Sequence, residues 1–476
     1  MYKERIIKWL VLGLIILASM GCSVPALIRK DANTSLPPAY STSTDTLNSA
    51  NTNWRDFFHD PYLAGLIDSA LANNQELNIT LQEIEVARNE IRARKGEYLP
   101  SLSARAGAGV EKMPRYTNIG AMEATTEIKP GKEMPEPLPD LLGGVVASWE
   151  LDVWHKLRNA KQSAVNRYLA SVEGRNFLVT NLISEIAGAY YELLVLDNQL
   201  DILQQNIKLQ SSALDIVKIQ KESARVNELA VRRFQAQVLH TQALQYQIQQ
   251  KITEKENEIN FLVGRLPQPV LRERPSLDDL VPRQIQAGIP VQLLANRPDI
   301  RQAEFQLKAA RLDVQVARAS FYPSLGISSG LGLRAFSPAY LLKPESIFYS
   351  LAGDMTAPLV NKNAIKARYF GASAQQVQAV YQYEKTILKA HIEVMNEMAR
   401  INNLEQSYQL KAKEVEALTQ SVAISNKLFS SARADYMEVL MTQRDALESK
   451  FDLTETKMQQ MNAMVNIYRT LGGGWK

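Results

Sequence analysis

The sequence predicts a mainly α chain with a small β share, organised as two tandem helix–strand–strand–helix–helix repeats. Three observations predict it. First, the chain echoes itself at one offset of 223 residues: Pro100-Ser101-Leu102 returns as Pro323-Ser324-Leu325, and Gly107 and Gly109 return as Gly330 and Gly332. Second, four segments of about ten residues alternate apolar and polar side chains, the period of a strand with one oily and one wet face. Third, long proline-free stretches carry apolar residues on a roughly 3.5-residue beat, the seam of a coiled coil.

The N-terminus comes first. Lys3, Arg5 and Lys8 give a basic start; Ile6 to Met20 is mostly apolar, and Gly21-Cys22 follows. The run is shorter than the ~20 residues of a membrane-spanning helix, so residues 1–21 read as a secretory signal. Cys22 is the only cysteine, which excludes an internal disulfide. Its place resembles the lipobox of bacterial lipoproteins, although Ser19 stands where that box usually has leucine. The resemblance implies acylation of Cys22, and Ser23 after it implies sorting to the outer membrane. Residues 22–53 are expected to form the N-terminal tether; within them Asp31 to Asn53, rich in Ser, Thr, Asn and Pro, reads as a tether or a chain draped on the surface.

Repeats follow over 54–265 and 290–476, joined by a connector at 266–289. Each begins with a helix of about 30 residues, Leu66 to Glu97 and Val291 to Ser320, that ends on a proline. Here too the offset holds: Leu71-Ala72-Asn73 matches Leu294-Ala295-Asn296, and Ala87-Arg88 matches Ala310-Arg311. Strands are expected at about 101–110, 143–153, 325–334 and 347–357. In the first, Leu102, Ala104, Ala106, Ala108 and Val110 make the oily face; in the last, Ile347, Tyr349, Leu351 and Met355 do.

Strands of this length suit a soluble sheet or a tilted membrane crossing. In lipid, four strands cannot close on themselves, and an open edge leaves backbone groups unpaired at several kcal/mol each. Several chains would then have to pool their strands in one barrel.

Helical hairpins are expected over 156–264 and 363–470. From Lys156 to Glu222 the beat runs through Leu182, Ile186, Ala189, Leu193, Leu196 and Leu200, and a helix of this length reaches about 100 Å. Both hairpins turn on the same letters, Ser223-Ala224-Arg225-Val226-Asn227 and Ser431-Ala432-Arg433-Ala434-Asp435. Asn227 and Asp435 suit the N-caps of the returning helices, and Asp435 with Glu438 fits a capping box.

Little in the sequence points to catalysis. His59, His155, His240 and His391 stand apart, and no HExxH, CxxC or phosphate-binding GxxxxGK[ST] occurs. Asp278-Asp279 reads as a solvated turn of the connector. The 13 methionines are scattered, and packing explains them better than passage of a soft metal. A formal net charge of +4 gives no reason to expect a nucleic-acid partner.

Assembled, these pieces resemble the TolC-like outer-membrane efflux factors, specifically the lipoprotein branch that serves resistance-nodulation-division pumps. The residues that carry it are "NWRDFFHDPYLAGLIDSALANN" from Asn53, "WELDVW" from Trp149, "GIPVQLLANRPDIRQAE" from Gly288 and "YRTLGGGW" from Tyr468. The family often has glycine where His155, Ala224 and Ala432 stand.

The resemblance implies a homotrimer with a twelve-stranded membrane barrel and an α-helical periplasmic tunnel, and no cofactor. It implies a passive outer-membrane channel, lipid-anchored through Cys22, that receives small molecules from an inner-membrane pump and a periplasmic membrane-fusion adaptor. The adaptor would meet Ser223, Ala224, Arg225, Asn227, Ser431, Ala432, Arg433 and Asp435 at the hairpin tips. Asn426 would sit where relatives narrow the lumen. Trp149 and Trp154 would join an aromatic belt or pack at the helix junction, and Glu111 to Leu142 would form a long outer loop. The outlet of a type I protein-secretion system, and a periplasmic coiled-coil scaffold with a soluble sheet, are the competing readings.

Overall fold

A computed structural model describes residues 24–27, 30–40, 46–273, 280, 286–431 and 433–475. The signal segment, Cys22, Asp278-Asp279 and Ala432 lie outside the described residues. The principal elements, in chain order, are α1 (Pro61–Asn73), α2 (Gln75–Tyr98), β1 (Ser101–Glu111), α3 (Asn118–Thr125), β2 (Glu127–Lys129) and β3 (Lys132–Glu133). They continue with β4 (Leu138–Leu151), α4 (Lys156–Glu222), α5 (Glu228–Val263) and α6 (Pro298–Ala319). The chain ends with β5 (Ser324–Ala335), β6 (Ile347–Thr356), α7 (Asn363–Ser430) and α8 (Tyr436–Thr470).

Contacts divide the chain into two units. One takes residues up to Asp31, Glu85–Leu169 and Phe305–Tyr381 and carries a four-stranded antiparallel sheet of order β1-β4-β5-β6. The pairing of β4 with β5 joins the two repeats in one sheet, with Val145 opposite Leu331 and Gly144 opposite Gly332. The other unit takes Ala32–Ile84, Ala170–Glu304 and Gln382–Lys476. Its core gathers Phe57, Leu63 and Ile67 from the N-terminal side, Ile183, Ile186 and Tyr190 from α4, and Met464, Val465 and Tyr468 from α8. This burial of the coiled-coil seam, rather than intrinsic propensity, stabilises so long a helix.

The structure corrects the sequence reading at three points. The opening helix of each repeat is broken, not continuous. Asn74 (ψ 125°) separates α1 from α2, and Arg297 (ψ 118°) separates the short helix Leu293–Asn296 from α6. The two breaks lie 223 residues apart and share one geometry: Asn74 N–H donates to Ala70 O, and Arg297 N–H donates to Leu293 O. The Asn74 side chain then accepts from the Leu77 N–H at 2.9 Å, a local cap that competes with a straight helix.

Second, β4 begins at Leu138, not near 143, and the segment before it holds α3 and the β2–β3 pair. Pro137 and Pro139 disguise the start as loop, yet Pro139 pairs with Val110 in the ladder. Third, Asp435 caps α8 with extended backbone but no side-chain hydrogen bond, so the expected capping box with Glu438 does not form.

The segment before α1 is bound into the fold. Tyr40 is buried and stacks on His391 at 5.5 Å between ring centres, and the Asn33 N–H donates to Glu384 at 2.9 Å. Asn48 bridges Ala287 of the connector. Arg272 holds the connector by donating to Asp197 on α4 and Glu256 on α5, both at 2.6 Å.

Candidate functional site

The sheet presents an uncovered apolar face. Ala104, Val145, Leu331 and Tyr349 line up across the four strands. Leu102, Val110, Leu351 and Met355 on the same face are 66–79% exposed. The opposite face pairs Ser101 with Ser148, Ser148 with Ser328, and Glu150 with Gly326 beside Asp354. At Gly144 and Gly332 the strands come so close that a Cβ on Gly332 would stand 2.5 Å from the Gly143 carbonyl oxygen. Only glycine fits that approach. β1 and β6 are the sheet's edges.

Two tryptophans fasten this sheet to helix ends. Trp149 Nε1 donates to Tyr98 O at 3.1 Å, and Trp154 Nε1 donates to Pro323 O at 2.7 Å while its ring stacks on Tyr322. Both pack at the helix junction yet keep over a third of their surface exposed, at 38% and 45%.

The hairpin tips share one backbone device. At the first, Arg225 N–H donates to Gln220 O and Ala224 N–H to Lys221 O, both at 2.9 Å, the paired bonds of a Schellman motif. Ala224 takes its left-handed position at φ 56°. At the second, Arg433 N–H donates to Leu428 O at 2.9 Å, the matching long bond. Asn227 accepts from the Ala230 N–H at 3.1 Å, as an N-cap should. The tips meet: Val217, Val231 and Phe234 of the first hairpin pack with Val439 and Phe429 of the second. Ser223, Ala224, Arg225, Asn227, Ser431, Arg433 and Asp435 are all exposed beside this cluster. Lys221 and Arg232 flank Glu228, and the bond from Lys221 holds its carboxyl below the ordinary range.

A sequence profile described as "Outer membrane efflux protein" matches residues 66–265 and 289–473, which is most of the chain and both repeats. The chain belongs to that family.

Relatives of this efflux protein include the solvent efflux pump outer membrane protein SrpC of Pseudomonas putida, 26% identical over 425 residues, covering 88% of this chain and 87% of that one. The probable outer membrane lipoprotein SilC of Salmonella typhimurium is 26% identical over 480 residues and covers both chains fully. Among solved structures, the open outer membrane channel MtrE of Neisseria gonorrhoeae matches with TM-score 0.82 at 23% identity, covering 96% of this chain and 99% of that one. The outer-membrane channel OprN matches with TM-score 0.83 at 23% identity and the same coverage. The protein is an outer-membrane efflux channel component, which sets aside the soluble-scaffold reading; the family is one of channels, not enzymes.

In this efflux protein the motifs that carry the resemblance prove to be packing devices. Arg297, in the motif that starts at Gly288, is buried; it donates to Asp299 at 3.0 and 2.7 Å, to Glu393 on α7 at 2.8 Å and to Thr470 O at 3.0 Å. Desolvation opposes its charge, yet these partners raise its pKa above the ordinary value. Tyr468 and Trp475, in the C-terminal motif, donate to Thr52 O at 2.7 Å and Asn296 O at 3.1 Å, and Phe57 of the first motif stacks on Tyr468.

Sequence reasoning missed Arg297 as a clamp, because a buried arginine reads in sequence as an ordinary charged helix start. Asn426 is exposed, with its Oδ1 3.4 Å from Gln443 Nε2. Among the described residues no helix is long and apolar enough to cross a membrane, and no cluster of three His, Cys, Asp or Glu could hold a metal.

Proposed function

We propose that three copies of this chain pool their sheets into one twelve-stranded barrel and that the helices form the tunnel below it. The observation that carries this is the exposed oily face of a four-stranded sheet bounded by two edges. Water disfavours that face, and lipid forbids those edges unless they pair. A ring closed by sister chains and set in lipid satisfies both demands.

The duct is passive and delivers small molecules that a resistance-nodulation-division pump and a periplasmic adaptor bring to it. Relatives carry names that speak of solvent, toluene, pyoverdine and cation efflux, so one wall design serves unlike cargoes and selection belongs upstream. The adaptor docks on the exposed tips around Arg225 and Arg433, Asn426 narrows the lumen near them, and acylated Cys22 adds a lipid anchor.

The test is gel migration with and without heating, on protein extracted with and without detergent. A barrel-forming assembly needs detergent and migrates differently when unheated. Full extraction into plain buffer, with heat-independent migration, would sink the proposal.

A further inference from the structure

A groove of about 760 Å³ lies within the sheet-bearing unit, lined in part by Val24–Leu27. Its wall on α6 comes from one helix face, Arg311, Val314, Gln315 and Arg318. Trp154 and Tyr322, stacked at 4.8 Å between ring centres, close one end. These two residues follow β4 and precede β5, where strands give way to helices.

The charges on the groove are uneven. Two guanidinium groups, on Arg311 and Arg318, face one carboxylate, on Asp31. Asp31 lies 3.6 Å from Arg311 and is 97% exposed, while Arg318 makes no ion pair among the described residues. The remaining lining mixes amide side chains, His155 and Tyr369 with the aliphatic surface of Val24, Pro25, Ala26 and Leu27. A cationic pair beside an aromatic stack and an oily lip matches a phosphate-bearing headgroup with its glycerol and first methylenes.

We propose that this groove binds an anionic phospholipid of the leaflet facing the helices, with its phosphate between Arg311 and Arg318. The proposal rests on the membrane reading of the sheet, because only then does the end of β4 stand at headgroup depth. Val24 lies two residues after Cys22, so a lipid held here would also fix the level at which the chain leaves the membrane.

The experiment places the full-length protein in nanodiscs of equal phosphatidylglycerol and phosphatidylcholine and counts retained lipids by native mass spectrometry. Wild type is expected to keep phosphatidylglycerol over phosphatidylcholine by roughly thirtyfold, the combined effect of two basic groups at one headgroup. An Arg311→Gln/Arg318→Gln variant is expected to show no preference, and Arg311→Lys/Arg318→Lys to keep most of it. Equal retention by wild type, or an undiminished preference in the glutamine variant, overturns the groove. Loss of the preference on adding millimolar inorganic phosphate makes the site one for bare anions and overturns the lipid assignment. A chain that never enters the discs overturns the membrane reading itself, a result distinct from entry without preference.

Discussion

Gly264 packs its bare Cα against the carbonyl of Asn73: a Cβ there would stand 2.5 Å from that oxygen. Gly472 meets the carbonyl of Asn296 in the same way, also at 2.5 Å. Asn73 and Asn296 are the two asparagines of the 223-residue echo, and each glycine ends a returning helix of its repeat with positive φ, 78° and 93°. The internal repeat is therefore a repeat of contacts, not only of letters.

Gly264→Ala and Gly472→Ala should each destabilise the protein by roughly 2–3 kcal/mol, because strain at positive φ adds to a clash with backbone that cannot yield. Ala224 is the reverse case: it sits at φ 56° with its neighbours exposed, so Ala224→Gly should gain about 1 kcal/mol. Thermal unfolding in detergent measures all three. Glycine replacements that prove neutral would mean the helix ends shift freely and the repeat contact does not hold the fold.

The hairpin tips give a functional prediction. Arg225 and Arg433 are exposed at matching places in the two hairpin turns and make no ion pair among the described residues. Arg225→Glu with Arg433→Glu should reduce pump-dependent drug tolerance at least tenfold and leave the oligomer on a native gel unchanged. An intact oligomer with full tolerance would remove these arginines from the docking surface.

Asn426 tests the lumen. Its exposed amide lies within reach of Gln443 but is not buried by its own chain. If three such amides hydrogen-bond across the lumen, Asn426→Ala should raise the resting conductance of single channels in planar bilayers several-fold. An unchanged resting conductance places the constriction elsewhere.

A fourth prediction concerns acid. Burial is the largest influence on Glu397 and raises its pKa, outweighing Arg400 and Arg469; Glu393 adds to the rise, and Glu397 Oε2 has no hydrogen-bond partner. The folded protein thus holds this proton more tightly than the unfolded chain does, so the charged carboxylate subtracts stability as pH rises through its range. Glu397→Gln should raise the Tm by roughly 1–3 °C near pH 7, and the gain should vanish toward pH 4. A gain that persists in acid would trace the effect to packing rather than charge.

Much of this was legible in advance because it rests on period. The alternation from Leu102 to Val110 and the helical run from Lys156 to Glu222 are set by local patterning, and their ends fall within a residue or two of the expected places. What stayed hidden depends on partners distant in sequence. Asn74 breaks a helix whose propensity favours continuing, because its side chain caps Leu77 and its amide donates to Leu262 O at 2.9 Å. Arg297 looks like a surface charge until Glu393 and Thr470 arrive from the other end of the repeat.

At the first tip alanine stands where the family often has glycine, and Ala224 takes the left-handed conformation. His155 and Asn361 do the same at φ 58° and 53°, just before the long helices α4 and α7.

The pooling of strands between chains is the claim on which the channel depends. The most direct measurement is single-channel recording of detergent-purified protein whose mass in solution has been determined by light scattering. The account predicts a particle of three chains that opens discrete, water-filled conductances in a planar bilayer. A monomer that stays in solution without detergent and leaves the bilayer silent would contradict it.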